Sequence, residues 1–258
     1  MRIAILQFSP TLGAPRANLS RASALLSAAA STLTNIDLLV LPELAFSGYN
    51  FPSLEAITPF LEPRAHGPSA EWARGVAAWL GAVVVVGYPE KGAGEAEAAP
   101  DPAGAGRNYN ALIALGPAAR PAAGWRTAEL PLARAESAAE PGPAAAPTTR
   151  TTLAICMDLN PAGAGGGVDL ATHVRDSGAA LLLLSMAWLS PLPAGALPAA
   201  VPDTATLGYW VSRLEPLRAG AEEVVVVVAN RCGEEAGGAR YSEVMTFPAP
   251  TLPADSIC

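Results

Sequence analysis

Lysine is nearly missing from this 258-residue chain, in which Lys91 is the only one. Cysteine is scarce as well. The three present, Cys156, Cys232 and Cys258, are odd in number and irregular in spacing, which excludes a disulfide framework and a zinc-type ligand pattern. The two histidines, His66 and His173, stand in helix-like or loop-like contexts with no Ser or Cys motif beside them. A Cys–His protease is thereby the weaker class of thiol enzyme, and a metal hydrolase lacks its ligand cluster. No apolar run approaches the ~20 residues of a membrane span, and Met1-Arg2-Ile3-Ala4 enters a strand rather than a signal peptide. Charge is sparse at 15%, and a net charge of -7 with a pI near 4.9 argues against nucleic acid or an anionic membrane as partner. The expectation is a cytoplasmic protein with reduced thiols and neither metal nor cofactor.

What the chain does have is core. Hydrophobic residues make up 51% of it, and this length suits one α/β domain that buries most of its unfolded surface. The pattern alternates. Arg2 to Phe8 reads as strand and Asn18 to Ala30 as helix, with Asn18 as its cap and Leu19, Ala22, Leu25 and Leu26 at helical spacing. Strands are expected at Leu38 to Leu41, Val83 to Val86, Ala111 to Leu115, Leu153 to Cys156, Leu181 to Ser185 and Val224 to Ala229. Helices are expected at Ser69 to Leu80, Val168 to Asp176 and Leu207 to Leu217. Unbroken Val and Leu runs mark strands covered on both faces.

Two strand ends carry reactive groups. In LAICMDLNP, residues 153 to 161, an apolar run leads into Cys156 and then into a turn made by Asp158, Asn160 and Pro161. A cysteine there reads either as a small core hydrophobe or as a nucleophile. In LLVLPELAFSGYNF, residues 38 to 51, Pro42 stops the strand one residue before Glu43, whose following neighbours Leu44, Ala45 and Phe46 are apolar. Burial there raises a carboxyl toward the range of a working base. Strand carboxyl ends are where open α/β folds bind ligands, so Glu43 and Cys156 pair as candidate base and nucleophile.

These stretches, with GYPEK at 87 to 91, SMAWL at 185 to 189 and ANRCG at 229 to 233, resemble the nitrilase-like carbon–nitrogen hydrolases. GYNFPSLEAITPFLEP, ATHVRDSGAALLLLSMAWLS and PDTATLGYWVSRLEPL narrow the resemblance to the fungal protein N-terminal amidase branch. It covers most of the chain in order. The resemblance implies a four-layer α-β-β-α sandwich of two sheets, which periodicity alone does not separate from one doubly wound sheet. It implies a thiol amidohydrolase that converts N-terminal Asn or Gln of a protein to Asp or Glu, releasing ammonia in an N-degron pathway. A homodimer and a backbone oxyanion donor at Met157 are implied too. So is the division into a hydrolase domain at 1–247 and a divergent or truncated tail at 248–258.

The chief departure is the family's third catalytic residue. Its lysine lies in a segment like YRKTHLF, and the matching stretch here, Trp125 to Pro131, places Thr127 at the lysine position. GYPEK matches a strand-exit turn, so Lys91 does not stand in; Arg126 would serve only if the strand slipped by one residue. The acidic run that follows in the family is replaced by Arg134, Ala135 and Glu136. Several other residues admit two roles. Asp158 reads as a partner for the substrate ammonium or as a turn former, and Tyr49 and Trp188 as pocket walls or as core. Asn110 reads as a turn residue, and Asn230 and Arg231 as rim residues or, for Arg231, one half of an exposed salt bridge. Residues 92–106, 133–149 and 193–202 read as flexible loops or insertions. Two further readings stay open: a binding module that keeps the fold without the chemistry, and an amidase for small amides.

Overall fold

The computed structural model describes residues 1–92, 108–116, 122–123, 126–132, 148–161, 169–192, 202–220, 222–242 and 256–257. The first half comprises β1 (Ile3–Gln7), α1 (Pro15–Ala28), β2 (Leu38–Val40), α2 (Leu54–Ile57), α3 (Pro68–Leu80), β3 (Val83–Glu90) and β4 (Tyr109–Leu115). There follow β5 (Ala122–Ala123), β6 (Arg126–Leu130), β7 (Thr149–Ile155), α4 (Leu170–Asp176), β8 (Leu181–Met186), α5 (Thr204–Arg213) and β9 (Val225–Asn230). A short hairpin, β10 (Glu234–Glu235) and β11 (Ala239–Arg240), and β12 (Ser256–Ile257) complete the order.

These strands form two main sheets, β12-β1-β2-β3-β4-β5 and β6-β7-β8-β9. In the first, β1, β2 and β3 run parallel and β4 antiparallel; in the second, β7, β8 and β9 run parallel and β6 antiparallel. Side-chain alternation then sorts the apolar residues. Ile5, Leu38, Val40 and Val85 meet Leu153, Leu183 and Val227 between the sheets. Their neighbours Leu6, Leu39, Val84 and Val86 turn outward onto Ala22, Leu26, Ala73 and Ala77 of α1 and α3. On the far side, Ala154, Leu182 and Leu184 pack on Val174 of α4 and Trp210 of α5. The result is the four-layer α-β-β-α sandwich, and continuous apolar strands are its direct cause, since the central strands β2, β3 and β8 are buried on both faces.

Element ends depart from expectation for local reasons. Helix α1 begins at Pro15, whose fixed φ suits a first helical turn, so Asn18 lies inside the helix. There it is buried and ties Thr11 and the carbonyl of Phe46 instead of capping. The GYPEK segment is no exit turn, because β4 stays paired with β3 as far as Glu90 opposite Tyr109. Strand β7 stops at Ile155, which makes Cys156 the first residue of a 3-10 turn, Cys156–Leu159. Asp203 caps α5 by accepting from the amide of Thr206, and the expected single helix splits at Pro216 into α5 and a 3-10 turn, Glu215–Ala219. The expected loops at 92–106, 133–149 and 193–202 lie almost wholly outside the described residues. So does the 248–258 tail, apart from β12.

Candidate active site

The carboxyl ends of β2, β7, β8 and β9 and the start of β4 meet at one rim, drawn from both sheets. The amide of Leu41 still bonds Val85, and then Pro42, which has no N–H, releases the chain from the sheet. Glu43 follows in a tight bend. Leu44 has a left-handed φ of 46°, a conformation that costs a side-chain-bearing residue ~1–3 kcal/mol and persists only where its surroundings enforce it. Part of that enforcement is Gly87, since a Cβ there would stand 2.7 Å from the Cα of Glu43 and 2.9 Å from the amide of Leu44. The bend rests directly on strand β3, and Ala45 donates to the Gly87 carbonyl at 3.0 Å.

Glu43 is 0% exposed. One carboxyl oxygen accepts from the Asn110 side-chain amide at the start of β4, and the other accepts from the Ala187 amide, just past β8, at 2.8 Å. Burial raises the carboxyl from 4.5 to about 7, against the opposing pull of Asn110, Ala187, the Arg231 charge and Cys156. Cys156, at 4% exposure, lies close enough to Glu43 for the two groups to perturb each other by charge and by hydrogen bonding. Burial pushes the thiol far up, and the charges of Glu43 and Asp158 push it further, with the Ala187 amide opposing. The resting pair is therefore a protonated thiol beside a carboxyl that titrates near neutrality.

Behind Glu43 lies a charge that the sequence left open between the rim and an exposed salt bridge. Arg231, directly after β9, is 0% exposed, and its ion pair with Glu235 is buried, so the exposed salt bridge is corrected. Its Nη1 donates to the carbonyls of Glu43 and Leu44, both at 3.3 Å, and its guanidinium lies 5.0 Å from the centre of the Tyr241 ring. Glu235 also accepts from Tyr241 Oη at 2.7 Å and from the amides of Tyr49 and Asn50 at 3.1 and 2.8 Å. Asn230, the last residue of β9, is buried and clamps the rim, accepting from Trp188 N and donating to the carbonyls of Trp188 and Ser242.

The remaining candidates divide. Asp158 accepts from the amide of Ile155 at 2.8 Å, which is the turn-former geometry. Tyr49 stands near the pair: its hydroxyl is pushed up to about 12 by burial and by the charges of Glu43 and Cys156. Trp188 is half-buried against Tyr209 and Trp210, with ring centres 5.5 and 6.0 Å away. Met157 is 62% exposed and is the second residue of the turn, whose leading amides have no partner within it. Thr127 is not brought to the Glu43–Cys156 pair. It stands opposite Thr152 in β6, with Oγ1 2.8 Å from Thr152 Oγ1 and 3.2 Å from both His173 Nε2 and Ser177 Oγ. Arg126 occupies the register of Leu153. Arg134, Ala135 and Glu136 lie outside the described residues.

Asn110 is the site residue that sequence reasoning misjudged, and Arg231 the one it left undecided between rim and surface. Both had a signal. Asn110 directly precedes the continuous apolar run Ala111 to Leu115, so it belongs to a strand end rather than a turn. Arg231 follows an uninterrupted Val run at a strand exit, the same context that singled out Glu43.

The profile of the carbon–nitrogen hydrolase family matches residues 2–160. A protein N-terminal amidase of Schizosaccharomyces pombe is 27% identical over 263 residues, covering 91% of this chain and 86% of that protein. A crystal structure of an N-terminal amidase superimposes with a TM-score of 0.72 at 16% identity, over 93% of this chain and 87% of that one. An N-terminal amidase crystallised with an Asn-Glu-Ala peptide gives 0.70 at 16% identity over the same shares.

Proposed function

The chain belongs to the carbon–nitrogen hydrolase family, and from that premise we propose that it is a thiol amidohydrolase acting on N-terminal Asn and Gln, with Cys156 as nucleophile and Glu43 as base. The observation that carries the reading is the Glu43 carboxyl, titrating at about 7, set against the Cys156 thiol where a strand of each sheet ends. A base is most useful when its pKa lies near working pH. The full-length likeness to an N-terminal amidase, and the Asn- and Gln-initiated peptides carried by its structural neighbours, supply the substrate class.

In this mechanism the sulfur attacks the side-chain carboxamide carbon as Glu43 takes the thiol proton, so free thiolate is never the resting form. The tetrahedral oxyanion is received by the Met157 amide. Glu43 returns its proton to the nitrogen, the C–N bond breaks, and ammonia leaves. Water then gives a proton to Glu43 and attacks the thioester, and the acid product departs as the thiol regains its proton. Tyr49 and Trp188 wall the substrate pocket. The reading carries with it a cytoplasmic place in an N-degron pathway, a homodimer, and no nucleic-acid, membrane or cofactor requirement.

The test is ammonia release from Asn- and Gln-initiated peptides by wild type and by Cys156→Ala. Turnover that Cys156→Ala abolishes supports the amidase, and release from free small amides alone would move the assignment to a small-amide amidase. One observation favours a second reading, a binding module without chemistry: the chain's single lysine, Lys91, follows β3 with its amide on the Glu62 carbonyl. A folded wild type that releases no ammonia from any amide decides for it.

A further inference from the structure

A buried ion pair is costly to assemble, and an apolar pair of the same volume is often at least as stable. Arg231 and Glu235 are nonetheless fully buried together, and Arg231 Nε has no hydrogen-bond partner among the described residues. Their contacts account for the arrangement. Arg231 holds the carbonyls of Glu43 and Leu44 at one end of the 43–50 segment, and Glu235 holds the amides of Tyr49 and Asn50 at the other. The pair thus brackets the segment that carries the carboxyl, including its left-handed bend at Leu44.

Building on the amidase reading, we infer that the Arg231–Glu235 ion pair is the positioning device of the base: it fixes the main chain from which Glu43 projects and sets the electric field at its carboxyl. The groups around Glu43 bear this out. Cys156 faces it from the turn after β7 and Tyr49 from its own segment, while Asn110 and Ala187 are neutral donors. Arg231 is the cation among the groups acting on it. Glu235 and Tyr241 stand on the other side of the guanidinium, and Asp158 acts on Cys156. By the sign of its charge, Glu235 behind the guanidinium offsets part of the pull of Arg231, which an apolar replacement would not do.

The test uses alkylation of Cys156 by iodoacetamide across pH, followed by mass on the Cys156 peptide so that Cys232 and Cys258 do not interfere. It needs no amide turnover. Wild type should show an inflection that Glu43→Gln removes. Arg231→Gln should move that inflection to higher pH by about one unit, because a positive charge near an acid favours its ionised form. Glu235→Gln should move it to lower pH, since the guanidinium then acts unopposed. Arg231→Lys should keep the wild-type midpoint while kcat falls, as one ammonium replaces the fork that grips two carbonyls. The acid limb of kcat/KM should follow the same directions. If Arg231→Gln and Glu235→Gln lose thermal stability while the inflection stays in place, if Arg231→Lys leaves kcat unchanged, or if wild type has no Glu43-dependent inflection, the inference is overturned. Should Arg231→Gln fail to fold, Glu235→Gln and Arg231→Lys decide it. Inflections that shift as stated in a protein releasing no ammonia would sink the amidase reading and leave the positioning role standing; ammonia release with a fixed inflection would do the reverse.

Discussion

Two polar clusters of the second sheet make opposite use of similar raw material. At the rim, where β7, β8 and β9 end, the sheet contributes Cys156, the Ala187 amide and Arg231, all buried and all directed at a charge-bearing group of the first sheet. On the outer face, Thr127, Thr152, His173 and Ser177 satisfy one another through short side-chain hydrogen bonds beneath α4. The rim tolerates costs the outer face avoids: a backbone in a left-handed bend, an unpartnered Arg231 nitrogen, and a carboxyl raised by burial. Strain and perturbed titration gathered at the rim fit the site proposed there, whereas the cluster around Thr127 is built of side-chain hydrogen bonds.

The hardest blow to that contrast comes from the nucleophile. Cys156→Ala should lower Asn-peptide amidase activity by on the order of 10⁴-fold or more while leaving the far-UV spectrum intact; an active Cys156→Ala protein would place the chemistry elsewhere. Glu43→Gln comes next, with a loss of ~10²- to 10⁴-fold in kcat. It also has an opposite effect on stability. Because burial raises Glu43 from 4.5 to about 7, between those pH values the folded chain keeps a proton that the unfolded chain has released. The stability this group contributes is therefore greatest below about pH 4.5 and declines as pH rises through 7. At ~1.4 kcal/mol per unit, the gap in unfolding free energy between Glu43→Gln and wild type should grow by up to about 3 kcal/mol from pH 5 to pH 8. Denaturant melts at the two pH values check it, and a constant gap would mean that the carboxyl titrates normally.

Gly87→Ala tests the support under the bend. The added methyl meets backbone atoms, which have little room to give, so a loss of ~1–3 kcal/mol is expected together with reduced kcat. A fall in melting temperature with full activity would show that the bend does not depend on β3. The smallest effect belongs to the outer face. Thr127→Lys should cost ~1–2 kcal/mol by breaking the hydroxyl cluster, with amidase activity otherwise unmoved. A gain in ammonia release would show instead that position 127 reaches the rim.

What was legible in the sequence followed the strength of the local pattern. Runs such as Leu38 to Val40 and Leu181 to Leu184 are apolar at every position, and a strand sandwiched between layers uses such a run at that length. Glu43 and Cys156 stood out because each interrupts such a run at its end. Arg231 does the same, yet its partner Glu235 is four residues on and looks like a surface ion pair at helical spacing; only the β10–β11 turn folds both inward. Asn110 was obscured for a related reason, since its role exists only relative to a carboxyl 67 positions away. The orientation of Thr127 depends on the pairing of β6 with β7, and strand register across an intervening segment of this length leaves no local trace.

Because Glu43 hangs from one sheet and Cys156 from the other, neither layer pair holds a site by itself. The two are joined across the gap by Ser185 Oγ donating to the Leu41 carbonyl at 2.9 Å and by the Ala187 amide on Glu43. On the proposed chemistry, reactivity is thereby a property of closure: a chain whose sheets have formed but not yet met carries an ordinary cysteine and an ordinary glutamate. Geometry alone would then keep an open chain inactive toward other proteins' termini until the two layers close.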